Sequence, residues 1–320
     1  MTSSASNSKP DVLLIWPNRP RQMAILEETY NLHRYDLSND PDAFLKEIGE
    51  RITSVATTGG KGLTAEQISL MPNLKIVSSS GVGYDSIDIT ACTRRGIKVT
   101  NTPGVLTNDV ADTAIMLIIS TLRQLVKGDR WVRSGDFIEK GLMPLTTSVT
   151  GKKLGIVGMG SIGQAIAARA LPLGLEISYF GPNEKTDVLY CFTSDLITLA
   201  EWADILVLSC PGGETTRDLI DTNVLNALGK TGTLINVARG SVVNQPALLK
   251  ALSSNAIAGA GLDVYANEPH GSADFVDLEN VVLYPHLASG TVETRDAMAQ
   301  LVCDNLEAFF AGKPLLTPVN

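Results

Sequence analysis

The six residues G-M-G-S-I-G, Gly158 to Gly163, limit what this chain can fold into more than any other stretch. They follow the apolar run Leu154–Val157 and open a segment of small residues, Ala165, Ala167, Ala168 and Ala170. In a strand–loop–helix turn, Gly158 permits the sharp bend and Gly160 lets the backbone approach a pyrophosphate. Gly163 lets helix and strand pack closely. Ser161 and Ile162 then begin a helix whose free N–H groups and partial positive charge favour an anion. An ordinary βα turn is the competing reading, and the strand–loop–helix setting favours a dinucleotide site.

A unit of this kind alternates strands with helices, and the rest of the 320 residues keep that rhythm. β-rich runs at Val12–Trp16, Ser54–Thr58, Leu74–Ser79 and Ile97–Thr100 are separated by helical stretches such as Pro41–Ile52. A second series comprises Leu154–Val157, Ile177–Phe180, Ile205–Ser209, Leu234–Val237, Gly261–Val264 and Val281–Tyr284. Its runs are nearly continuous in apolar residues, as parallel strands covered on both faces should be. The pattern predicts two α/β units with parallel sheets and crossover helices. A long helix over Asn108–Val126 bridges them, with Thr107, Asn108 and Asp109 offering oxygens to its first N–H groups. A last helix, Val292 to Ala311, stops at Gly312 before Pro314 and is placed to return to the first unit. One boundary is expected inside Val99–Thr107, with a second crossing near Ala288–Thr291.

Lys and Arg number 26 against 34 Asp and Glu, a net charge of −8. That balance argues against nucleic acid or an anionic membrane as partner. Cys92, Cys191, Cys210 and Cys303 are far apart and form no C-x-x-C, a pattern of reduced thiols in a cytoplasmic protein. With only His33, His270 and His286 available, no metal centre is expected. Residues 1–10 are Ser-rich without an apolar core and read as a flexible tail, not a signal peptide. Val110–Val126 contains Asp112, Arg123 and Gln124, so it reads as a buried helix and not a membrane span.

A dinucleotide site normally carries an acid at the end of the strand after the glycine loop, where it binds the ribose 2′-OH. Here that position falls on Gly181 or Pro182. Without the acid a 2′-phosphate meets no repulsion, and Asn183 and Lys185 are available to bind it. NADP is therefore favoured. NAD stays open, because Glu184 turned inward would restore NAD selectivity.

Three polar groups follow later strands: Arg239 in N-V-A-R-G-S, Glu268 in D-V-Y-A-N-E-P and His286 in Y-P-H-L-A-S-G. Each alone has a bland explanation, as a surface Arg, a solvated Glu or a capping His. Together they suit reduction of a 2-oxo acid, which needs a hydride, a proton for the carbonyl oxygen and a grip on the carboxylate. A histidine donates the proton and a nearby Glu favours its charged form. A planar guanidinium holds the carboxylate and polarises the carbonyl. His33 and His270 lack such a setting and read as structural. In S-S-S-G-V-G-Y-D, the N–H groups of Val82 and Gly83 are placed to form an anion nest, with a plain glycine-rich turn as the alternative.

These motifs, with V-G-Y-D-S-I-D, V-T-N-T-P-G-V-L-T, G-T-V-E-T-R and G-K-P-L-L-T-P-V, closely resemble the D-isomer-specific 2-hydroxyacid dehydrogenase family. The glyoxylate/hydroxypyruvate reductase and hydroxyphenylpyruvate reductase branch is nearest, and the resemblance spans about Asp11 to Val319. It implies a Rossmann-type doubly wound cofactor domain, residues 102–287, inserted into a smaller flavodoxin-like α/β substrate domain, residues 11–101 and 288–320. It also implies an active site in the cleft and a homodimer built largely through the cofactor domains.

The implied reaction is NAD(P)H-dependent reduction of 2-oxo acids such as glyoxylate, hydroxypyruvate and arylpyruvates to D-2-hydroxy acids. Carried over, Arg239 binds the substrate, His286 is the acid/base and Glu268 its partner. Val82 and Gly83 hold the carboxylate, with Ser289 at the cleft. Thr107 and Asp263 belong to the nicotinamide side, Val237 and Ala238 are further cofactor-binding positions, and Cys210, Pro211 and Thr216 belong to the adenosine side. Two departures stand out: the usual NAD acid is missing at Gly181, and Pro182 stands where NADP-using relatives often place Arg. Formate dehydrogenases pair the His with Gln where this chain has Glu268. A dinucleotide-sensing corepressor of the same fold is the alternative from another class.

Overall fold

A computed structural model describes residues 9–320, so the tail expected at 1–10 lies outside the described residues except for Lys9 and Pro10. The chain forms two compact units, one from the described residues up to Leu106 with Gly290–Asn320, the other from Thr107–Ser289.

In the first unit, β1 (Asp11–Leu14), β2 (Asn31–Arg34), β3 (Ser54–Thr58), β4 (Ile76–Ser80) and β5 (Lys98–Thr100) pair in parallel in the order β2-β1-β3-β4-β5. This is the flavodoxin-like order. Alternation along β1 explains its unbroken apolar run. Val12 and Leu14 pack on one face with Leu26, Val302 and Leu306, while Leu13 and Ile15 pack on the other with Leu45, Ile68 and Met71. The helix Val292–Phe310 supplies much of the first face, and Gly312 beyond it takes φ 66°.

In the second unit the strands are β6 (Lys153–Val157), β7 (Glu176–Phe180), β8 (Cys191–Thr193), β9 (Ile205–Leu208), β10 (Thr233–Asn236), β11 (Gly259–Leu262) and β12 (Val281–Leu283). They form a parallel sheet in the order β12-β11-β10-β9-β6-β7-β8. The order reverses between β6 and β9, and ligands of open α/β sheets bind outside the strand ends at such a reversal. The helix Thr107–Leu122 lies close on β11 because that strand offers glycine: a Cβ on Gly261 would come within 2.9 Å of Thr121 Oγ1 and Ile235 Cδ1.

The expected elements need four adjustments. β2 and β8 were not expected. Both are short edge strands with little buried apolar surface, so their sequences N-L-H-R and C-F-T carry no clear pattern. The helix expected over Asn108–Val126 stops at Leu122, where Gln124 turns left-handed at φ 50°, and a separate helix spans Leu125–Arg133. The one expected over Pro41–Ile52 ends at Ile48 and tightens into a 3₁₀ turn, Gly49–Arg51. The helix starts one residue earlier than expected, at Thr107, and inside it Asn108 Oδ1 accepts Arg169 Nη2 at 3.1 Å. Among the described residues no helix is long and apolar enough to cross a membrane.

Candidate active site

The glycine loop follows β6 at the reversal of the second sheet. Gly158 takes φ 99°, and a Cβ there would fall 2.7 Å from the Cα and N of Cys210. A Cβ on Gly163 would lie 2.2 Å from the carbonyl oxygen of Gly158, the close helix–strand contact expected of the third glycine. That carbonyl also accepts Ser209 Oγ at 2.8 Å. Gly160 has nothing within 4 Å of the equivalent position, so its outer side is open to a ligand. The helix Ser161–Ala170 starts there without a side-chain cap. The first amides of a helix have no partner within it, so those of Ser161, Ile162 and Gly163 suit a diphosphate. The cradle therefore fits a dinucleotide.

Beside it, Cys210 follows β9, and burial pushes its thiol up to about 11. Thr216 Oγ1 donates to the Pro211 carbonyl at 2.7 Å and closes that loop. At the end of β7, Gly158 N–H donates to Phe180 O at 2.9 Å, so the next loop starts beside the glycines. Asn183, Glu184 and Lys185 are exposed there, and Lys185 N–H is tied to Tyr179 Oη at 2.7 Å.

The ends of β10, β11 and β12 carry Arg239, Glu268 and His286. His286 Nδ1 lies 2.6 Å from Glu268 Oε2. Tyr265 N–H donates to the other oxygen, Oε1, at 2.9 Å. Burial alone would raise the Glu268 pKa. The His286 hydrogen bond, the Tyr265 N–H and the charges of His286 and Arg239 together outweigh it and hold the carboxyl below its usual range. Side-chain exposures of 46% for His286 and 31% for Glu268 leave the ring within reach of a ligand. Arg239 is half-buried, and its Nη1 donates to Ala238 O at 2.8 Å.

His286 sits at φ 51°, an uncommon region for a residue with a side chain. The turn is held by Asp263. Its carbonyl accepts His286 N–H at 2.7 Å, and its two carboxylate oxygens accept the N–H groups of Leu287 (2.7 Å) and Ala288 (3.1 Å). Burial raises the Asp263 pKa, while those N–H groups and the His286 charge oppose the rise. Asn236 fixes the neighbouring loop by accepting Ala238 N–H and donating to Arg239 O, both at 3.0 Å.

Val237 and Ala238 are buried in this turn, whereas Thr107, at the start of its helix, and Ser289 are half-buried. In the first unit, Asn101 Nδ2 donates to Val82 O at 2.8 Å. No described residue accepts the N–H of Val82 or Gly83. His33, on β2 and paired with Leu13, places Nε2 2.6 Å from Asp11 Oδ1 at the amino end of β1, and His270 opens the 3₁₀ turn His270–Phe275.

Two supports escaped the sequence. Gln245, 9% exposed, accepts Ala266 N–H at 3.0 Å and donates to Gly271 O and Asp274 Oδ2, so one side chain ties down the loop bearing Glu268. Tyr265 Oη reaches Tyr284 O at 2.8 Å, joining the Glu268 and His286 segments. Buried polar cross-links of this kind leave no periodic signal in a sequence.

An imidazole backed by a carboxylate shares a sheet with a glycine cradle, a set of groups suited to giving a proton and a hydride to one carbonyl. Such a protein is a dinucleotide-dependent oxidoreductase. Residues 115–288 match the model of the D-isomer specific 2-hydroxyacid dehydrogenase, NAD binding domain. The chain is 47% identical to glyoxylate/hydroxypyruvate reductase A of Arabidopsis thaliana, covering 96% of this chain and 98% of that one. It is 46% identical to a 2-ketogluconate reductase of Gluconobacter oxydans, covering 98% and 99%. The solved NADPH-dependent glyoxylate/hydroxypyruvate reductase of Sinorhizobium meliloti, in complex with NADP and malonate, superposes with a TM-score of 0.90 at 39% identity over 98% and 97% of the two chains. The chain belongs to the D-isomer-specific 2-hydroxyacid dehydrogenase family.

Proposed function

We propose that the protein reduces 2-oxo acids, glyoxylate and hydroxypyruvate among them, to D-2-hydroxy acids, with His286 as acid, Glu268 as its partner and Arg239 as substrate anchor. The observation that carries this assignment is the 2.6 Å contact between His286 Nδ1 and Glu268 Oε2. With Nδ1 committed to the carboxylate, Nε2 is the nitrogen that donates to the carbonyl oxygen. Glu268 stays ionised and offsets the charge on the ring. Arg239 holds the carboxylate and draws electron density toward the carbonyl oxygen. The Val82 and Gly83 amides are assigned to the same carboxylate. When bound, the reduced nicotinamide supplies the hydride. Gly158, Gly160, Ser161, Ile162 and Gly163 are assigned to the diphosphate, with Cys210, Pro211 and Thr216 on the adenosine side. Thr107 and Asp263 are assigned to the nicotinamide side, Val237 and Ala238 to the cofactor, and Ser289 to the substrate. His286→Ala is expected to lower kcat by about 10²–10⁴-fold with cofactor affinity retained; unchanged hydroxypyruvate reduction would end this assignment.

The preferred cofactor is NADPH, supported by the missing carboxylate at Gly181 and Pro182 and the exposed Asn183 and Lys185. A strong preference for NADH at equal concentration would reject this. The working form is a homodimer, supported by the exposed apolar side chains Ile138 (90%), Leu142 (85%) and Leu145 (99%) in one segment of the second unit. Sedimentation is expected to give twice the chain mass, and Ile138→Asp to weaken the association. A cytoplasmic setting agrees with four cysteines that form no disulfide.

A further inference from the structure

We propose that the Tyr265 hydroxyl positions His286 for proton transfer, while the N–H of the same residue positions Glu268. This rests on the reaction proposed above and adds a positioning residue to it. Tyr265 follows β11 and is 7% exposed, with its ring centre 6.1 Å from that of Phe275. Its N–H donates to Glu268 Oε1 at 2.9 Å, the oxygen that His286 does not use. At the far end of the side chain, Oη accepts Tyr284 N–H at 3.1 Å and lies 2.8 Å from Tyr284 O and 3.1 Å from Leu262 O. A hydroxyl has one hydrogen to give, and Tyr284 O is the nearer acceptor. Burial pushes the phenol up to about 12, so that hydrogen is present at neutral pH.

The Tyr284 carbonyl is the joint through which the hydroxyl acts. It also accepts His286 N–H, at 3.1 Å, across Pro285. His286 holds φ 51°, a conformation that costs a residue with a side chain energy and persists where its surroundings fix it. Asp263 anchors the residues from His286 onward, and the Tyr265 hydroxyl anchors the residue before Pro285. Side-chain packing adds little, because beside Glu268 and His286 the surface opens into a cavity of about 260 Å³ walled by Pro269, Ser272, Val276, Leu283 and Pro285. Without the hydroxyl, Tyr284 O loses a partner and the turn bearing the imidazole is free to shift. Tyr284 N–H keeps its 2.8 Å bond to Leu262 O, so β12 stays in its sheet. Proton transfer is sensitive to such a shift, since the donor must lie within hydrogen-bond reach of the carbonyl oxygen.

The test is a cycle of Tyr265→Phe, His286→Ala and the double variant in steady-state reduction of glyoxylate and hydroxypyruvate. Rates are taken per site that binds the reduced dinucleotide, so unfolded protein is not counted. Tyr265→Phe keeps the ring in the core and removes the hydroxyl alone. Its kcat should fall about tenfold, with KM and cofactor affinity near those of the wild type. In the His286→Ala background the same substitution should cost nothing more, because the group it positions is gone. Equal losses in both backgrounds, a raised KM at unchanged kcat, wild-type turnover, or a variant too unstable to bind cofactor would each overturn the role of Tyr265 and leave the reaction standing. A wild type inactive on every 2-oxo acid, or a fully active His286→Ala, would instead sink the reaction assigned to the pair, and the role of Tyr265 with it.

Discussion

A Cβ on Gly240 would stand 1.8 Å from the carbonyl oxygen of Tyr265. The glycine after Arg239 therefore lets the end of β10 touch the backbone that leads into Glu268, which brings the two charges into one site. Gly240→Ala forces those segments apart. Overpacking of this kind costs about 1–3 kcal/mol or more. Activity is expected to fall at least tenfold, with a lowered Tm; a variant with wild-type kcat/KM would show that the contact does not set the geometry.

At Gly181 the opposite holds, since an added Cβ meets only Asn183 O, at 3.9 Å. Gly181→Asp should fold normally and place a carboxylate where a ribose 2′-OH binds and a 2′-phosphate is repelled. The ratio of kcat/KM for NADPH to that for NADH is expected to drop about tenfold or more, the effect of ~1.4 kcal/mol. An unchanged ratio would place the ribose elsewhere.

The Glu268 carboxyl is held below its usual range: burial pushes it up, but the His286 hydrogen bond and the neighbouring charges prevail. A depressed folded-state pKa means that the ionised group stabilises the fold fully above the unfolded value of about 4.3. That contribution is lost as pH falls through the folded value. The Tm difference between wild type and Glu268→Gln should therefore be present at pH 7 and close in acid. A difference independent of pH would contradict the linkage.

Gln245→Leu removes three hydrogen bonds at once and leaves Ala266 N–H and Gly271 O without their partner. Each buried orphan costs about 1–3 kcal/mol. Tm should fall by several degrees, and kcat should fall with it because Glu268 rides on the loosened loop. Full activity at an unchanged Tm would mean that the loop holds its shape without Gln245.

Much of this protein is legible in its amino-acid sequence. The glycine spacing around Gly158 announced a strand, a turn and a helix because only backbone conformation and close approach demand glycine there. The apolar runs announced parallel strands because a sheet covered on both faces excludes water along its whole length. Arg239, Glu268 and His286 stood out because each follows such a run. The edge strands β2 and β8 were not legible, since a strand with one neighbour and a wet face needs no apolar pattern.

The class of fold, the glycine turn and the candidate polar residues at the strand ends are thus readable from the chain alone, because all depend on local spacing and burial. Only the tertiary structure decided that His286 and Glu268 meet at 2.6 Å and that Asp263 holds the His286 turn. Those relationships join residues from different strand ends, and distances across a sheet are set by packing and strand order, which no short stretch of chain encodes.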